Sequence, residues 1–292
     1  MPTPPILSNK RYAEPSVFTA ENLLREARRQ KSLARAHVPR ICVLDPDGDI
    51  VRWLVGTRSA ERHPEWACYH TNLFTFWQDG LQFGIVGCAV GASFAVLVAE
   101  ELFTSGCELL ISVTSAGQVV GVTDPPYFVL IEKALRDEGT SYHYLPPADF
   151  SYISPSLLST LEGVFSHAPG PIYRGATWTT DAPFRETASA VAHCRELGIM
   201  AVEMEAAALY AFAEATHKSV ACLAHVTNRM ARAEGDFEKG VAGGSRDALQ
   251  MVALVAGAWM GDQSAPNTQI QMRAAGKQVS NFSLQRTVNL PR

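Results

Sequence analysis

No Cys-x-x-Cys pair, no Gly-x-Ser-x-Gly turn and no apolar run long enough to cross a bilayer occurs in this chain. Each absence removes a class of function. The six cysteines stand singly at positions 42, 68, 88, 107, 194 and 222, several in apolar contexts. That pattern reads as free, buried thiols in a reducing cytoplasm rather than a disulfide framework. None is spaced with the eight histidines as zinc ligands would be, so no metal is expected. Without a nucleophile turn, no covalent nucleophile stands out. The most apolar stretch, residues 84–102, is interrupted by glycine and serine and ends in Glu100 and Glu101, so it reads as a strand and a core helix rather than a membrane span. The opening Met-Pro-Thr-Pro-Pro lacks the charged and apolar regions of a signal peptide, and a cytoplasmic location is expected. A net charge of −4 shows no bias toward polyanions, so nucleic acid is not an expected partner. No internal repeat is visible.

What is present is a core-forming sequence. The 292 residues are 47% hydrophobic, enough to fill a sizeable interior. Strand and helix patterns alternate, which implies a single α/β domain with a central mixed, mostly parallel β-sheet flanked by helices. Strands are expected at residues 40–44, 81–87, 108–113, 127–131, 172–177, 198–202 and 219–227, with β-favouring residues at 51–55 and 66–77. Helices are expected from Gly91 to about Phe103, over 154–165, from the Thr180-Asp181-Ala-Pro cap to Leu197, and from Ser245 to about Met260. Residues 1–39 form an N-terminal extension with a basic helix containing Arg25, Arg28, Arg29, Lys31 and Arg35. That helix face is read as solvated or subunit-facing, with phosphate binding as the alternative. The α/β domain then covers 40–261, and 262–292 is a polar tail expected to be extended or to reach a neighbouring subunit.

The chain is organised around residues 201–213, Ala-Val-Glu-Met-Glu-Ala-Ala-Ala-Leu-Tyr-Ala-Phe-Ala. They read as a strand end turning into a helix apolar on nearly every side, hence buried. Glu203 and Glu205 are placed in its first turn, where the helix dipole and free N–H groups favour ionised carboxylates. Ionised carboxylates are acceptors suited to hydroxyl groups. Ordinary acidic residues at a helix start would look the same.

This stretch resembles the ribose-binding motif of the nucleoside phosphorylase superfamily, which includes uridine phosphorylase, hexameric purine nucleoside phosphorylase and methylthioadenosine nucleosidase. The resemblance runs, with gaps, from about Arg40 to Gly261. It implies that Glu205 holds the ribose hydroxyls, Met204 packs beneath the sugar and Glu203 adjoins them. The turn at Gly91 resembles the family's Gly-rich strand-to-helix turn, which binds anions on backbone N–H groups. Thr114 and Ser115 resemble the family's hydroxyl-bearing phosphate or sugar contact. Phe184 and Arg185 lie in the loop that frames the base in the family, Phe184 as a stacking ring and Arg185 as a partner for the base edge. Asn228, within Val-Thr-Asn-Arg, is similar to uridine phosphorylase. An amide donates a hydrogen bond but is no general acid, so a pyrimidine is favoured over a purine. His225, in the strand before it, reads as a core residue.

Two departures bear on the nucleophile. The resemblance implies an arginine three residues before Thr114, where this chain has Ile111, and an arginine in the loop after the first strand, where Asp45, Asp47 and Asp49 stand. Carboxylates repel phosphate. With an arginine from elsewhere, such as Arg52, Arg58 or Arg62, phosphate remains the expected co-substrate and no other cofactor is implied. With water instead, one of the aspartates, Asp45 among them, would serve as general base. The expected activity is therefore ribosyl C–N cleavage of a small-molecule nucleoside by phosphorolysis, with hydrolysis as the first alternative. A catalytically weak nucleoside-binding protein is the other alternative. Relatives form oligomers with shared sites, so a homo-oligomer is implied by the resemblance.

Overall fold

The structure is a computed structural model that describes residues 3–168, 170–230 and 234–280, with side chains to residue 263 apart from His167. In chain order the elements are α1 (Ala20–Lys31), β1 (Ile41–Asp45), α2 (Asp49–Gly56), β2 (Ala60–Arg62), β3 (Leu73–Gln78), β4 (Leu81–Gly87), α3 (Ala92–Thr104), β5 (Leu109–Gln118) and β6 (Tyr127–Asp137). They continue with β7 (Phe150–Tyr152), α4 (Pro155–Thr160), β8 (Ile172–Thr180), α5 (Ala188–Glu196), β9 (Ile199–Glu203), α6 (Ala206–Thr216), β10 (Ser219–Asn228) and α7 (Ser245–Ser280). The mixed α/β domain implied by the strand–helix alternation is what the chain forms.

The sheet does more than lie between helices. β5, β10, β6, β8 and β9 pair in a ring, because β10 bonds to both β6 and β5, and β9 closes back on β5. β5–β10, β6–β8 and β8–β9 are parallel, whereas β10–β6 and β9–β5 are antiparallel. A wing of β1, β4, β3 and β2 extends from β5. Closure removes strand edges that would otherwise have to be covered. β1, β5 and β10 are buried on both faces, which is why they read as near-continuous apolar runs.

α6 packs against the ring and is buried at every position from Ala206 to Ala213. Its alanines allow close approach, and Tyr210 bonds it to two strands: the phenol donates to the Ile131 carbonyl (2.5 Å) and accepts from the Cys222 N–H (3.1 Å). Ile131 sits where the β6–β8 register shifts, so the hydroxyl satisfies a carbonyl at an irregular point of the ladder.

Several boundaries differ from the sequence expectation. Residues 51–55 are helical, in α2, because the Asp45 carboxylate accepts the Val51 N–H and Ile50 and Leu54 point inward at helical spacing. The helix expected from 180 to 197 begins only at Ala188, capped by Thr187; Thr180 ends β8, and Pro183–Arg185 forms a short 3-10 turn. The helix expected over 154–165 stops at Thr160, and Gly163 (φ 75°) turns the chain before a 3-10 segment at Val164–His167. The strand expected over 127–131 continues to Asp137. Of the aromatic stretch 66–77, only the part from Leu73 is strand. The tail is helical to Ser280 rather than extended, and 281–292 lie outside the described residues. Among the described residues no helix is long and apolar enough to cross a membrane.

Tyr210→Phe tests whether α6 is fixed to the ring as described. It leaves a buried carbonyl and a buried N–H without their partner, so urea unfolding should show a loss of about 1–3 kcal/mol.

Candidate active site

Glu203 is the last residue of β9, and α6 begins at Ala206, so neither glutamate lies within the helix. The Glu203 carboxylate is saturated. One oxygen accepts from the Thr177 and Thr179 hydroxyls of β8, and the other accepts from the Glu205 and Ala206 N–H groups, both at 2.7 Å. Thr179 in turn accepts from the Ala207 N–H (2.9 Å). Glu203 therefore caps α6 and ties it to β8, with no oxygen left for a sugar.

Glu205 is placed differently. It is 1% exposed, its Oε1 accepts from the Gly91 N–H at 2.7 Å, and its Oε2 has no partner. A buried carboxylate oxygen without a partner is costly unless a ligand supplies one. Gly91 precedes α3 with φ 91°, and a Cβ there would meet nothing within 4 Å, so the backbone beside the carboxylate borders open space while its N–H is held by Glu205. Burial first, and the neighbouring Glu203 next, push Glu205 up to about 8; the Gly91 N–H and the Thr114 hydroxyl pull the other way. Burial also raises Glu203. The expectation of an ionised carboxylate is thus corrected for Glu205, whereas Glu203, though raised by burial, keeps four donors around its oxygens.

The aspartate loop divides its work among three carboxylates. Asp45 turns inward, 2% exposed, and accepts from the Gly48 (3.2 Å) and Val51 (2.9 Å) N–H groups. Burial pushes it up to about 7, with Asp47 and Asp49 adding to the rise. It shapes the loop rather than facing the site. Asp47 faces the site: its Oδ2 accepts from the Ser115 N–H at 2.7 Å, and its Oδ1 lies 3.8 Å from Lys239 Nζ. Lys239 also pairs with Asp49, which Arg52 contacts from the other side. Arg52 donates to the Asp47 carbonyl (2.9 Å). Thr114 is buried beside Glu205 and Ser115 is half-buried next to it.

Asn228 ends β10 opposite Gly117 of β5. Its Oδ1 accepts from the Met230 N–H (2.8 Å), and its Nδ2 donates to the Thr227 hydroxyl (3.2 Å), which leaves one amide hydrogen uncommitted. Met204 is half-buried between β9 and α6. Behind β10, His225 stacks on Phe128 (4.5 Å between centroids) and burial lowers it to about 4, so it is a neutral core ring, as expected.

The structure thus brings Gly91, Thr114, Ser115, Met204 and Glu205 to one end of the ring, with Asn228 on the adjoining strand. It does not bring Phe184 and Arg185 there. Phe184 is fully exposed on the turn after β8, and Arg185 is exposed beside it. Lys239 was missed as a site residue, and Asp47 was named only together with Asp45 and Asp49, of which Asp45 was singled out. Lys239 is the single cation of residues 234–244, a signal present in the sequence. Among the described residues no three His, Cys, Asp or Glu side chains gather as a metal set.

Comparison with known proteins now decides the family. The model of the phosphorylase superfamily matches residues 40–256, most of the chain. The chain belongs to the phosphorylase superfamily. Among curated proteins it is 27% identical over 162 residues to an uncharacterised protein of Acanthamoeba polyphaga mimivirus, covering 55% of this chain and 63% of that one. It is 26% identical over 135 residues to a guanosine phosphorylase of Halorubrum lacusprofundi, covering 46% of this chain and 56% of that one. The matches therefore span somewhat over half the length of these curated relatives. Two crystal structures of uridine phosphorylase from Vibrio fischeri, one with 6-hydroxy-1-naphthoic acid, share the fold with TM-scores of 0.63 and 0.61. They are 21% identical, and 97% of each is covered by 77% and 85% of this chain, respectively. The family match gives the superfamily, and the two crystal structures show the shared fold.

Because Glu205 holds its proton in the folded protein up to about pH 8 but releases it near 4.3 when unfolded, folding takes up a proton between those values. This stability is fully present below about pH 4.3 and is lost as the pH rises through 8. The ligand-free protein should melt progressively lower from pH 5 to pH 9. Glu205→Gln, which cannot ionise, should flatten that slope and raise the melting temperature at pH 8.

Proposed function

We propose that the protein cleaves the bond between ribose and base in a nucleoside at the Glu205 site, with water as the attacking group. The observation that carries the first part is the buried, unpartnered Oε2 of Glu205 beside the Gly91 N–H and the Thr114 hydroxyl. Such a carboxyl offers a donor–acceptor edge to a pair of ribose hydroxyls. Met204 then lies under the sugar, and the base reaches toward Gly117 and Asn228.

In this reading the C1′–N bond breaks and its electron pair leaves with the base, which the uncommitted Asn228 amide hydrogen stabilises at an oxygen. Water bonds to C1′ and gives its proton to Asp47. The Asp47 carboxylate stabilises the cationic sugar as it forms, before it takes the water's proton. The choice of water rests on Asp47 holding the Ser115 N–H: the chain's own carboxylate takes the donor that an incoming anion would need. An amide at 228, in place of an acid, supports a pyrimidine base. Homo-oligomeric assembly and a cytoplasmic location belong to the same proposal.

A second reading, phosphorolysis, is favoured by Lys239 and Arg52. These two cations flank the aspartates and would bind phosphate if Asp47 swung aside. The test is base release from uridine, thymidine, cytidine, inosine, guanosine and adenosine, with and without phosphate. Free ribose formed without phosphate supports hydrolysis; ribose 1-phosphate formed only with phosphate supports the second reading. Asp47→Asn should lower hydrolysis by about 10²–10⁴-fold, whereas under phosphorolysis it should tighten phosphate binding. No release from any nucleoside would leave a binding protein.

A further inference from the structure

The family-matched residues begin at 40, so α1 and the segment that follows it lie outside them. Together with the C-terminal end of α3 they line a half-open pocket of about 820 Å³, within the range of about 300–1,000 Å³ typical of small-molecule sites. Its lining is unusual for a packing defect. Arg28 and Ser105 both line it, and Arg28 Nε and the Ser105 hydroxyl are each covered by protein without a hydrogen-bond partner. Two unpartnered donors at one cavity are two unmet costs that a single acceptor would relieve. Arg35 and His37 stand at the exposed rim, on the chain leaving α1.

The acids at the cavity do not neutralise this set. Glu100 accepts the Tyr144 hydroxyl, and Glu21 is exposed in the first turn of α1. Arg25, also in the lining, is engaged by Glu26 and Asn22. The carbonyls at the ends of α1 and α3 lend a weak negative potential there, which two full guanidinium charges exceed. A group that fills this place must be an acceptor with several oxygens and a negative charge. Guanidinium geometry matches phosphate in particular.

We propose that this cavity is a second ligand site, separate from Glu205, for a phosphate group held by Arg28 and Arg35 over the Ser105 hydroxyl, free or as an ester. The inference does not depend on the reaction proposed above.

The experiment is calorimetric titration of the full chain with inorganic phosphate and, separately, ribose 5-phosphate. The variants are Arg28→Gln with Arg35→Gln, and Lys239→Ala as the control at the other site. Melting curves without ligand check that each is folded. Binding that weakens at least about tenfold in the double arginine variant and persists in Lys239→Ala supports the proposal. Binding of the ester alone assigns the site to phosphate esters. No binding at millimolar concentration, or binding lost with Lys239 but not with the arginines, overturns it.

Discussion

The carboxylate of Glu203 is the constraint on which the site depends. Four hydrogen bonds converge on it, two from threonine hydroxyls of β8 and two from the N–H groups that open α6. They fix the angle at which the chain leaves β9. That angle delivers Glu205 to Gly91 across the ring, with one oxygen bonded and the other bare. The two glutamates of one short motif are thus a support and a contact. A buried carboxylate with every lone pair used makes a rigid support, because any alternative rotamer would strand several polar groups in the core.

The fold was legible wherever burial imposes a pattern along the chain. β1, β4, β5 and β10 announce themselves as apolar runs, and α6 as a helix without a polar face. α2 was not legible, because Ile50, Val51 and Val55 favour strand locally and only the Asp45 carboxylate, reaching to the Val51 N–H, winds them into a turn. Ring closure was also hidden, since it lies in backbone pairing between β5 and β10 and leaves no mark on side-chain alternation.

At the site, the residues taken from motifs lie together: Glu205 bonds to Gly91 and has Thr114 beside it, with Ser115 next along β5. Residues inferred from loops were placed poorly. Asp45 and Asp47 differ in sequence only by position around Pro46, yet one seals the loop and the other faces Ser115. Phe184 belongs to a short 3-10 turn just beyond the end of β8 at Thr180, and nothing local reveals that its ring faces outward. Lys239 needed only the observation that an acidic loop must be balanced by a cation from another segment.

The ring of five strands has a consequence for how the molecule is made. Its closing seam joins Leu109 to Ser219 and runs on to Asn228, so the seam cannot form until most of the chain is available. Pairings between such distant segments make folding slow, and until they form, β5 and β10 present apolar edges able to join another chain. The wing of β1, β4 and β3, whose neighbours are closer in sequence, can assemble earlier and cover one edge of β5. The seam that completes the site is therefore the last part of the sheet to appear during synthesis, and the part most in need of protection from premature association.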